Sequence, residues 1–204
     1  MSKELVVVGA FHEIFELAEE SDYKIIGFFD NKILHDYNGY EFLGTDDHAK
    51  QCFPENKPFI IITPDQPEVR KKLANYYGNL KYQFGSLISA QSRISKSATI
   101  NEGTVIQALV NVSSNCVIGK HVKLNTSCNI MHDTVIGDYT SIAPNAVILG
   151  NVKIGTSCYI GANSTILPHI SIADHTVIGA GATVTKNIEI PGKYIGCPAR
   201  RMKS

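Results

Sequence analysis

The sequence has no surplus of charge. Its 19 basic and 19 acidic residues cancel across 204 positions, so no chain-wide field draws it to nucleic acid or to an anionic membrane. It has no apolar stretch near the roughly 18 residues of a membrane span, and the run in MSKELVVVGAF is too short for a secretory leader; the expectation is a cytoplasmic protein. A cysteine framework is missing too. Cys52, Cys116, Cys128, Cys158 and Cys197 are odd in number and contain no C-x-x-C pair, which argues against a disulfide scaffold or a structural zinc site. The histidines are too dispersed to ligate a metal. Finally, the G-x-G-x-x-G of a dinucleotide fold is absent: only Gly9 follows the first apolar run, which disfavours tight pyrophosphate binding of the NAD type.

What is present divides in two. Residues 1–86 alternate strand and helix. Leu5 to Val8 is a short apolar run of the kind buried on both faces of a parallel sheet. A helix follows from about His12 to Glu20, then strands at Tyr23 to Phe29 and Phe59 to Ile62. Asp65 and Pro67 start a second helix that stops at Gly78. This is a small Rossmann-like βαβ domain. Asp30 stands at the end of the second strand, 21 residues past Gly9, where it is either a ribose or base contact or, with Asn31, a plain polar turn.

From residue 87 the period changes to six. Stepping from Ile88 to Ile190 in sixes meets only Ile, Leu or Val, at eighteen positions in one frame. Neither a helical nor a strand period produces this, whereas a chain turning a corner every six residues does. At three hexads per coil, six coils stack into a prism of roughly 30 Å. Cys116, Cys128 and Cys158, each two places before a core isoleucine, read as small apolar fillers. Gly119, Gly137, Gly155, Gly161 and Gly179 follow core positions, where either positive φ or close approach is needed. The ends of the stack need covers, which the first domain and the tail from Pro191 can supply. The fold class is thus α/β plus all-β, the second part a hexapeptide-repeat parallel β-helix over residues 87–204 with a C-terminal cap. His132, two places past the inward Ile130, projects near a corner, and nothing about building a coil requires it there.

Unbroken hexapeptides, the stretch HDTVIGDYTSIAPNAVILG, the ending VIGAGATVTKNIEIPGKYIGCPARRM and a βαβ domain in front resemble the bacterial nucleotide-aminosugar acetyltransferases of the bacillosamine, perosamine and sialic-acid pathways. The resemblance implies a left-handed β-helix, a homotrimer, acetyl-CoA in the groove between adjacent prisms and a sugar nucleotide on the first domain. By it His132 is the general base and Asp133 its orienting carboxylate, consistent with the need to take a proton from an amine attacking a thioester near neutral pH. It makes Gly150 the amide donor to the acetyl carbonyl. Gly161, Gly179, Ala180 and Gly181 line the pantetheine path, and Lys186, Arg200 and Arg201 meet phosphates. Gly9 and the turn Asp30-Asn31-Lys32 hold the nucleotide, with His12 compensating for a shortened glycine loop. Where relatives carry a second histidine, this chain has Ser141, a hydrogen-bonding group toward the substrates.

The expected activity is direct acetyl transfer from acetyl-CoA to the amino group of a UDP-, dTDP- or GDP-linked 4-amino-4,6-dideoxy sugar, without metal. Ser141 keeps O-acetylation of a sugar such as sialic acid, or transfer of another acyl group, open as an alternative. A non-catalytic nucleotide-sugar-binding scaffold is a further one. His175, beside Asp174, is the fallback base; it, His121 and His169 are otherwise read as exposed corner residues.

Overall fold

A computed structural model describes residues 3–202. Its first part is a five-stranded parallel sheet in the order β3-β2-β1-β4-β5, with β1 at Lys3–Val8, β2 at Tyr23–Phe29, β3 at Phe42–Gly44, β4 at Phe59–Ile62 and β5 at Gln83–Phe84. The helices are α1 at His12–Glu19, the short α2 at Ala49–Cys52 and α3 at Pro67–Asn79. Strand β1 is buried on both faces, as its unbroken apolar run requires. Leu5 and Val7 pack with Ile14, Phe15 and Ala18 of α1, while Val6 and Val8 pack with Ala74 and Tyr77 of α3. Strands β3 and β5 are too short and mixed to stand out in the sequence.

The second part is a prism of two-residue strands in three parallel sheets. From Leu87 to Val184 the pairing is 18 residues apart, as in Asn111 with Asn129, Val117 with Val135 and Lys123 with Ser141. This register fits a left-handed parallel β-helix. Its core is the aliphatic column from Ile106 to Val184, with Cys116, Cys128 and Cys158 fully buried among it. Burial raises the Cys128 thiol to about 12 and the Cys158 thiol to about 11, which keeps both protonated and unreactive at neutral pH.

Two expectations are corrected, and one alternative left open is decided. The six-residue frame ends early: Ile190 is 57% exposed, and Ile188, at 6%, takes the core place and bridges to Ile172. The first domain does not close the end of the stack. It lies along one side, touching coils from Gln107 to His175, and leaves Ile88 of the first coil 42% exposed. The tail does cover the other end, where Lys193–Ile195 extends one sheet and Tyr194 and Ala199 pack on the core. The positive φ values of the prism's turns lie three places after the core positions from Ile100 to Ile178, at Gly103, Leu109, Asn115 and so on to His175 and Gly181. The glycines that follow core positions serve close approach instead: a Cβ on Gly137 would come within 2.5 Å of the Gly155 backbone.

Among the described residues no helix is long and apolar enough to cross a membrane, and no group of three or more His, Cys, Asp or Glu side chains is arranged to hold a metal ion.

Candidate active site

The corner at Asp133 has φ +59°, a left-handed turn that a short polar side chain tolerates better than most. It throws the preceding His132 outward and along the prism axis, over the next coil. There the ring lies on Gly150, where an added Cβ would come within 2.6 Å of Cε1 and 2.7 Å of Nε2. His132 Nδ1 and Asp133 Oδ2 are 2.8 Å apart, and Asn115 Nδ2 donates to Asp133 Oδ1 at 3.1 Å. These bonds, His132's first, hold the Asp133 carboxyl below the usual carboxylate range. An ionised Asp133 accepts from Nδ1–H, so the lone pair of the neutral ring sits on Nε2. Among the described residues Nε2 has no partner, and neither does the Gly150 N–H.

The remaining sequence-derived residues are distributed as follows. Gly161 stacks on Gly179 and Ala180 of the next coil, and Gly181 follows with φ +66°; this run occupies a different corner from His132. Lys186, Arg200 and Arg201 are exposed, with Arg201 Nη2 donating to the Pro191 carbonyl at 2.9 Å. His175 is exposed but pairs with Glu68 of α3 at 2.9 Å, not with Asp174, whose carboxylate accepts the Thr156 N–H.

A cavity of about 470 Å³ opens at the C-terminal ends of β1, β2 and β4, lined by Gly9, Asp30, Asn31, Lys32 and Asp46 on one side and Pro64, Asp65, Gln66, Val69 and Leu73 on the other. Crevices at strand C-termini are where open parallel sheets bind ligands. Gly9, at φ +90°, has no room for a Cβ because Thr63 and Pro64 stand against it. Asp30 is drawn inward by backbone donors: Oδ2 accepts from Ala10 N at 2.8 Å, and Oδ1 from Lys32 N at 2.6 Å and Ile33 N at 3.1 Å. Asn31 exchanges two hydrogen bonds with Asp46.

Three expectations fail here. Ser141 is not at the His132 corner: it is fully buried, donates to the Asp65 carbonyl at 2.7 Å and accepts from Arg70 Nη2 at 3.0 Å. A docked domain, which one-dimensional spacing cannot show, has claimed it. His12 does not line the cavity; its ring is held by Glu16 and Asn38 instead. His121 is a corner residue but not an exposed one; it stacks on Tyr139 with centroids 5.3 Å apart.

Reasoning from sequence missed the junction. Arg70 of α3 is buried and spends all five N–H donors on the His121, Pro64, Asp65 and Tyr139 carbonyls and Ser141 Oγ. Burial lowers its pKa to about 10, against the opposing pull of Asp65, so it stays charged. Lys123, also buried, pairs with Asp65 at 2.6 Å. In the sequence it is one outward lysine on a strand, the usual place for a solvated charge.

The family model described as the GMPPB C-terminal domain matches residues 88–204. The chain belongs to this family. No curated protein sequence matches it. Among solved structures it is similar to a GDP-perosamine N-acetyltransferase from Caulobacter crescentus, a histidine variant solved with CoA and GDP-perosamine, at 19% identity and TM-score 0.95 over 98% of this chain and 97% of that one. The acetyltransferase domain of PglB from Neisseria gonorrhoeae, solved with acetyl coenzyme A, is 25% identical at TM-score 0.91 over 99% of this chain and 100% of that one. WeeI from Acinetobacter baumannii is 27% identical at TM-score 0.87 over 97% and 99%. The first of these is by its name an N-acetyltransferase of a nucleotide-linked amino sugar, the kind that the sequence resembles, and the second an acetyltransferase domain.

Proposed function

We propose that the protein transfers the acetyl group of acetyl-CoA to the amino group of a nucleotide-linked amino-dideoxy sugar, with residues 1–86 as a Rossmann-like nucleotide-sugar-binding domain and 87–204 as the acyl-transfer domain. The observation that carries this is the His132 ring, fixed by Asp133 on one nitrogen and by Gly150 beneath, with Nε2 left open. The PglB domain, similar over its whole length and solved with acetyl coenzyme A, supports the donor.

In this reading the amine lone pair attacks the thioester carbon and a C–N bond forms. The carbonyl oxygen becomes an oxyanion facing the Gly150 N–H, a preorganised donor. His132 Nε2 takes the amine proton, the C–S bond breaks, and the imidazolium returns that proton to the departing sulfur. Asp133 stabilises the transient imidazolium and keeps the ring in the productive tautomer. The glycines at 161, 179 and 181 with Ala180 line the pantetheine, and Lys186, Arg200 and Arg201 meet its phosphates.

Within one protomer the cavity is lined only by residues of the first domain, and His132 and the glycine run stand at different corners of the prism. A homotrimer, bringing one protomer's corner to its neighbour's cavity, is the arrangement that unites them. The test is release of CoA thiol with UDP-, dTDP- and GDP-4-amino-4,6-dideoxyhexoses. His132→Ala should lower kcat by about 10²- to 10⁴-fold with the fold intact by circular dichroism. Turnover unchanged in that variant would reject the assignment.

A further inference from the structure

Three carboxylates line the cavity, and their hydrogen bonds separate them. Asp30 has both oxygens occupied by backbone N–H groups. Asp46 has Oδ1 on the Tyr77 hydroxyl at 2.7 Å and Oδ2 on Asn31 at 2.6 Å. Asp65 is different. Its Oδ1 is held by Lys123 at 2.6 Å, its side chain is 56% exposed, and among the described residues Oδ2 has no partner.

The hold on Asp65 comes from the prism. Lys123 is buried, donates also to the Thr63 carbonyl at 3.2 Å and lies 4.9 Å from the centre of the Phe11 ring. The Asp65 carbonyl accepts from Ser141 Oγ at 2.7 Å and Arg70 Nη1 at 3.1 Å. Main chain and carboxylate are thus both fixed before any ligand arrives, which lowers the ordering cost of binding. Pro64, Val69 and Leu73 beside it offer an apolar wall for a flat ring.

We propose that Asp65 is the residue by which the cavity recognises the nucleoside of the acceptor, its free Oδ2 accepting a hydrogen bond from a ribose hydroxyl or a base N–H. This rests on reading the cavity as the nucleotide-sugar site. Lys123 sets the polarity of the contact. In Asp65→Asn it retains the amide oxygen and turns the NH₂ toward the ligand, donor against donor.

The test is calorimetric binding to the full chain of UDP and GDP, their 2′-deoxy and 2′,3′-dideoxy forms, and CoA. Asp65→Asn should weaken UDP and GDP by about tenfold or more and leave CoA affinity unchanged; it also lowers the melting temperature, because buried Lys123 loses its counter-charge, so the unchanged CoA affinity is the control for an intact fold. If the donor is ribose, the dideoxy forms bind the wild type as weakly as UDP and GDP bind the variant, and the variant ignores the deletion. If it is the base, the wild type ignores the deletion and the variant is weaker for every form. Unchanged UDP and GDP affinity in Asp65→Asn would overturn the proposal, whereas a wild type that binds none of these diphosphates would overturn the reading of the cavity itself.

Discussion

Gly150 lacks a side chain at the spot where the His132 ring lies. Gly150→Ala would place a methyl within 2.6 Å of Cε1, and the ring, half exposed, can yield only by swinging off Asp133. A displacement of about 1 Å at a reacting group can cost 10²-fold in rate. Gly150→Ala should therefore lower kcat by about that factor with little change in melting temperature, because Gly150 is not at a positive-φ position and the ring contributes little to the core. A steady-state assay beside a thermal melt checks both halves. At this scale the sequence was partly readable. His132 stood out because a coil has no use for it, and Asp133 because it is adjacent. Ser141 looked equally free, at an outward position on its strand, and only the docking of Arg70 over it removes it from the site.

The coil is the element that repeats, and its requirements were readable wherever they are identical in every turn. The inward aliphatic fills the same volume each time, so the period of six is unbroken up to Val184. Corners are less uniform: Leu109, Tyr139 and His121 adopt the left-handed turn beside asparagines and serines, so residue type alone does not mark it. The glycines after core positions answer to distance. Gly137→Ala would overpack against the Gly155 backbone and should cost about 1–3 kcal/mol. Gly137→Asn should be no better tolerated, as it would be if positive φ were the reason for glycine there. At Gly181, with φ +66° and nothing within 4 Å of an added Cβ, asparagine should be nearly neutral. Denaturant midpoints of the three variants separate the two causes.

The whole molecule depends on a junction built from single residues far apart in sequence, which is why no local pattern announced it. Arg70 and Lys123 are charged and buried, and they tie the loop Thr63–Gln66 to the prism. Beneath them the His121 carbonyl accepts from Arg70 Nε at 2.7 Å, its ring meets Phe84 edge-on and Tyr139 face-on, and its buried Nδ1 has no partner among the described residues. Burial first, then the Arg70 charge, push its pKa from 6.5 down to about 4. The folded junction thus requires a neutral ring, while the unfolded chain takes up a proton near 6.5. Between these values the unfolded state binds more protons, so stability rises with pH. The contribution is fully present above 6.5 and lost progressively as pH falls toward 4, on the order of 3 kcal/mol in all. At about 2–4 °C per kcal/mol for a chain of this size, the melting temperature should drop by several degrees over that window. His121→Asn tolerates the φ of +53° and cannot titrate. It should melt lower at pH 7, from lost packing, yet show a flatter profile between pH 6.5 and 5. A variant that keeps the wild-type slope there would place the titrating group elsewhere.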